Sequence, residues 1–82
     1  MKVAKIVDLM RRNPAGVRFD DLVKVCRHYF GEPRHNKTSH MKFSTPWEGA
    51  PFVNIQNFSG QAKPYQVRQV LAAIDRLEDD RD

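Results

Sequence analysis

The apolar residues of this chain change their spacing twice, and that change constrains its fold more than any other feature. Up to residue 30 they recur three or four apart, as Val3, Ile6, Val7 and Met10, then as Phe19, Leu22, Val23, Cys26 and Phe30. Such spacing lines one side of a helix and predicts helices over about residues 2–12 and 19–30. Over 38–45 and again over Phe52-Val53-Asn54-Ile55-Gln56-Asn57 the period falls to two, which is that of a strand. Val53 and Ile55 then point inward, and Asn54 and Gln56 outward. After Pro64, which suits the first turn of a helix, helical spacing returns with Val67, Val70, Leu71, Ile74 and Leu77.

The segments between these runs are rich in residues that break regular structure. Asn13-Pro14-Ala15-Gly16 ends the first helix, and Gly31 followed by Pro33 ends the second. Residues 31–37 are polar and basic and fit either a short edge strand or a loop. Pro46-Trp47-Glu48-Gly49-Ala50-Pro51 reads as a connecting turn, and Phe58 to Lys63 as a second loop containing Gly60. Two strands joined by a short turn pair antiparallel. The expected fold is α+β, a small antiparallel sheet of two to three strands with helices on one face, in the order α-α-(β)-β-β-α. Its other face is then free to meet a ligand.

At 82 residues the chain is long enough for one modest core and one domain. Its apolar runs fall short of the roughly 20 residues of a membrane span, and its first residues lack the apolar segment of a secretory signal. No membrane partner and cytoplasmic residence are therefore expected. The single cysteine, Cys26, lies on an apolar helix stripe and is expected to be a small core residue rather than a nucleophile or ligand. Charge is uneven. Residues 75–82 carry five acids and two arginines, whereas the other 74 carry twelve Lys or Arg against five acids. A body that basic favours a polyanion such as nucleic acid.

The strand around residue 40 holds the candidate chemistry. Alternation sets Ser39, Met41 and Phe43 on one face, and His40, Lys42 and Ser44 on the other. An imidazole beside a cation suits a phosphodiester, because imidazole exchanges a proton near neutrality. RNA brings its own nucleophile, the 2′-OH. His40 is the expected general base or general acid, and Lys42 the stabiliser of charge on the phosphorane oxygens. Arg34 and Lys37 are placed to hold flanking phosphates. Ser39 either orients His40 or begins the strand. Lys63 and Arg68, near the start of the last helix, read equally as phosphate ligands, as contacts for a partner's acids and as solvated charge. His35 is a weaker candidate for a second proton-transfer group. His28, at a helix end, reads as structural, while Tyr65 and Trp47 read as packing residues with stacking on bases as the alternative. Glu48 has no carboxylate neighbour near this strand, so neither a metal nor another cofactor is expected.

In the order of these features the chain resembles the HicA-type toxins, small mRNA interferases of type II toxin–antitoxin modules. The resemblance spans about residues 19–77. It rests on the helix around Asp20-Asp21-Leu22-Val23-Lys24-Val25-Cys26, on Thr38-Ser39-His40 entering a strand with Phe43 beyond, on Val53-Asn54-Ile55, and on the helix opening Lys63-Pro64-Tyr65-Gln66-Val67-Arg68. Thr38 stands where the family usually has glycine, and Met41 where many members have a second histidine. The resemblance implies a fold like the double-stranded-RNA-binding domain (dsRBD-like), with residues 1–12 as an added helix and 78–82 as an acidic tail. It implies His40 as catalytic residue, mRNA as substrate, a HicB-type antitoxin as partner and a monomer when free. A non-catalytic RNA-binding module on the same face and a purely protein-binding adaptor are the competing readings.

Overall fold

The computed structural model describes residues 1–36, 40–47, 49 and 52–79, excepting the side chains of His35 and Asn36. These form α1 (Val3–Arg12), a single 3-10 turn (Pro14–Gly16), α2 (Phe19–Phe30), β1 (His35–Asn36), β2 (His40–Ser44), β3 (Phe52–Phe58), β4 (Gln61–Ala62) and α3 (Pro64–Asp79). The strands lie antiparallel in the order β1-β2-β3-β4. Among the described residues no helix is long and apolar enough to cross a membrane.

The helix periods become one buried surface. Ile6 and Met10 of α1, Leu22, Val25 and Cys26 of α2, and Val67, Val70 and Ile74 of α3 are fully enclosed. They pack on the inner side of the sheet, where Phe43 and Ile55 are also at 0% exposure and Val53 and Ala62 are nearly so. Cys26 belongs to this core, and burial pushes its thiol up to about 12, which keeps it protonated and unreactive. The helix α2 has the expected bounds. It ends on Gly31 at φ 82°, where the Gly31 N–H returns to the Arg27 carbonyl.

The sheet is wider than the expected two to three strands. Residues 58–63 are not a loop: β3 turns through Ser59 (φ 52°) and Gly60 (φ 84°) into β4. Two consecutive positive φ values make the tight turn that matches strand twist. The Gly60 N–H donates to Asn57 Oδ1 at 2.7 Å, which steadies the turn. On its other side β4 is held by the chain entering α2. The Ala62 N–H donates to the Val17 carbonyl and the Phe19 N–H to the Gly60 carbonyl. Two residues suffice for a strand here because both of their edges are bonded.

A buried glutamine joins α3 to the sheet. Gln66 is 6% exposed, and its Oε1 accepts the backbone N–H of Gln56 at 2.7 Å, beyond the end of β4. Its Nε2 donates to the Tyr65 hydroxyl. At the surface Arg11 makes a two-pronged ion pair with Asp75, tying α1 to α3.

Two measurements test this framework. Gln66→Leu strands the Gln56 N–H and should cost about 1–3 kcal/mol, read as a lower urea midpoint at unchanged slope. The hydrogen bonds from Arg11, with its charge, hold the Asp75 carboxyl below its ordinary 3.8. A depressed pKa contributes stability above the unfolded value and loses it as pH falls through the folded one. Arg11→Gln should therefore lower stability at pH 7, by under about 1 kcal/mol for so exposed a pair, and should converge with the wild type by about pH 2.

Candidate functional site

The β2–β3 register decides which side chains meet on the open face. His40 pairs with Gln56, Lys42 with Asn54 and Ser44 with Phe52. Directly opposed residues share a face. With Phe43 and Ile55 buried on the helix side, these six residues form the outer side, where His40, Phe52 and Asn54 are exposed. The imidazole is reachable from solvent, and Lys42 lies two residues along the same strand. The Lys42 ammonium sits 4.1 Å from the centre of the Phe52 ring. Ser44 Oγ is buried without a hydrogen-bond partner.

Arg34 meets β2 through its backbone. Its N–H donates to the Lys42 carbonyl at 2.6 Å, which places it at the β1 edge beside Lys42. The backbone of His35 pairs with Lys42 in the β1–β2 register. Residues 35–36 thus form the short edge strand that the sequence left open against a loop. Lys37 and Ser39 lie outside the described residues. Lys63 reaches the open side at the other end of β3, with its ammonium 6.0 Å from the centre of the Phe58 ring.

Arg68 lies elsewhere. On α3, Gln66 and Ala73 mark the side facing β3, while Asp75 marks the side facing α1 through Arg11. Seven residues before Asp75, Arg68 projects from nearly the same side as that aspartate, away from the sheet and from His40. The structure brings together His40 and Lys42, sets the backbone of Arg34 beside Lys42 and Lys63 at the far end of the same face, and leaves Arg68 apart.

Trp47 and Tyr65 differ in environment. Trp47 is half-buried against the core, with the Arg76 guanidinium 4.4 Å from its ring centre. Tyr65 is exposed. His28 is exposed in the last turn of α2.

A groove of about 410 Å³ runs between β3 and α3, its lining including Phe52, Asn54, Gln69, Ala73, Trp47 and Arg76. Since the Gln56 N–H points to this side, the backbone groups of Phe52 and Asn54 do too, and β4 reaches only Asn57 and Phe58.

The arrangement offers an exposed imidazole and a neighbouring ammonium on a strand pair anchored from behind. The strand residues of this face include no carboxylate. The set can bind a phosphate group and exchange a proton beside it. Two further residues of this face are Phe52, which shares the outward parity of Asn54 and Gln56, and Phe58, which the sequence reading placed in a loop and the structure places at the end of β3. Gln66 gave no periodic signal, because its role depends on where β4 stops.

Because His40 is exposed whereas Phe43 is enclosed, the two should separate cleanly by stability. In urea denaturation His40→Ala should change stability by less than about 0.5 kcal/mol. Phe43→Ala should cost about 3–5 kcal/mol.

Comparison with models of known protein families, with curated proteins and with solved structures gives no match for this chain.

Proposed function

We propose that this protein is an endoribonuclease of the HicA type, a toxin that cleaves mRNA without a metal ion and is restrained by a HicB-type antitoxin in the cytoplasm. The observation that carries the reading is the solvent-exposed imidazole of His40 on the open sheet face, beside Lys42. The element order from α2 through β1, β2 and β3 to α3 supports kinship with the double-stranded-RNA-binding domain, with α1 and β4 as additions. Collinear features in the sequence, above all Thr38-Ser39-His40, support the family assignment and with it the antitoxin.

The chemistry follows from the substrate. The 2′-oxygen attacks the adjacent phosphorus as its proton passes to a base, and the bond from phosphorus to the 5′-oxygen breaks. The departing oxygen gains a proton, leaving a 2′,3′-cyclic phosphate and a 5′-hydroxyl. His40 serves as base or as acid, with water completing the other transfer at this open site. A positioned proton-transfer group of this kind contributes about 10²–10⁴-fold. Lys42 offers its charge to the phosphorane oxygens, and Arg34 to a flanking phosphate.

His40→Ala should abolish RNA cleavage and growth arrest while changing RNA affinity little, because affinity is spread over many phosphate contacts. Normal cleavage by that variant, or no cleavage by the wild type, would overturn the nuclease reading. Retained binding without cleavage by the wild type would leave a non-catalytic RNA-binding module. Absence of RNA affinity even at low salt would instead indicate a protein-binding adaptor.

A further inference from the structure

We infer that the open sheet face is a stacking platform for single-stranded nucleic acid, with Phe52 and Phe58 each receiving a base on either side of His40. This deepens the proposed function and rests on its choice of RNA as ligand.

Large exposed aromatic side chains are costly unless something covers them, and this face carries two. Phe52 is 38% exposed and Phe58 is 58% exposed, at the two ends of β3. Their even separation in sequence sets both rings on the outer face with Asn54 and Gln56. Along an extended strand the six-residue interval spans about 20 Å. His40 is opposite Gln56, roughly 13 Å along from Phe52 and 7 Å from Phe58. A strand of nucleic acid crossing the face would therefore meet an aromatic ring, then the imidazole, then a second ring.

Each ring has its own cation. Lys42 lies over Phe52 and Lys63 over Phe58. This pairing of a π-surface with a positive charge matches a nucleotide, which presents a flat base and a phosphate together. An acidic protein segment would use the ammonium groups but not two flat rings spaced along a ribbon. The strand residues of the face include no carboxylate to repel phosphates, and Asn54 and Gln56 between the rings can hydrogen-bond base edges.

The geometry also selects against duplex. In a double helix the base faces are stacked on one another and cannot reach a side-chain ring, whereas unpaired bases can be splayed onto a sheet. The folded neighbourhood of a structured RNA is thus a poor ligand, and an unpaired stretch of message a good one.

Stacking does not require the 2′-OH, so a short single-stranded DNA oligonucleotide of mixed sequence is a probe that this chemistry cannot cut. Wild-type protein should bind it more tightly than the same sequence as a duplex. Phe52→Ala and Phe58→Ala should each weaken binding by about 5- to 150-fold. They should leave the slope of log affinity against log salt unchanged, whereas Lys42→Ala should reduce that slope by about 0.7. Phe52→Trp should restore or tighten binding, which separates lost stacking from lost folding. Phenylalanine variants that bind like the wild type would overturn the platform, leaving those rings to a protein partner. Equal affinity for duplex would overturn it as well. Cleavage of RNA by the wild type with unimpaired phenylalanine variants would sink the platform and spare the nuclease. Ring-dependent binding without any RNA cleavage would do the reverse.

Discussion

The register between β2 and β3 is the constraint on which the rest of the molecule depends. A strand alternates its side chains, so one pairing commits Met41, Phe43, Val53 and Ile55 to the helices and His40, Lys42, Asn54 and Gln56 to solvent. A slip by one residue would carry Phe43 into water and drive the imidazole and the ammonium under α2 and α3. Burial of Phe43 at 0% exposure therefore fixes the position of His40 as firmly as any contact made by His40 itself. Core packing and the display of the candidate site are one structural decision here, taken at the strand pair.

Much of this was readable from period alone. The bounds of α2 follow from an apolar stripe that starts at Phe19 and a glycine at residue 31, and the face of His40 follows from the parity it shares with Lys42. What escaped were features that depend on remote partners. Two residues cannot display an alternation, so β4 was hidden, and it exists because Val17 and Phe19, distant in the chain, bond across to Ala62 and Gly60. The dipeptide Ser59-Gly60 was the available local signal. The edge strand β1 is equally brief and owes its place to β2.

The candidate site divides along the same line. His40 and Lys42 belong to one strand, and local alternation brings them together. Arg34 arrives through a backbone bond to the Lys42 carbonyl, which no spacing rule contains. Arg68 leaves because helix rotation about α3 is set by two ties, one from Gln66 to the sheet and one from Asp75 to α1. The first helix thus helps to orient the last. It also buries Ile6 and Met10 in the common core, so it is a working part of the domain.

The groove beside α3 carries a hazard of its own. Where β4 stops short, β3 presents ladder positions at Phe52 and Asn54 that no described strand occupies. Unpaired edges of this sort template the addition of foreign strands, and proteins guard them with charge. Arg76, lining the groove with its guanidinium over Trp47, sets a positive charge beside those positions. A charge at such a margin disfavours the docking of a second flat strand, so a residue remote from the imidazole bears on the chain's behaviour when crowded.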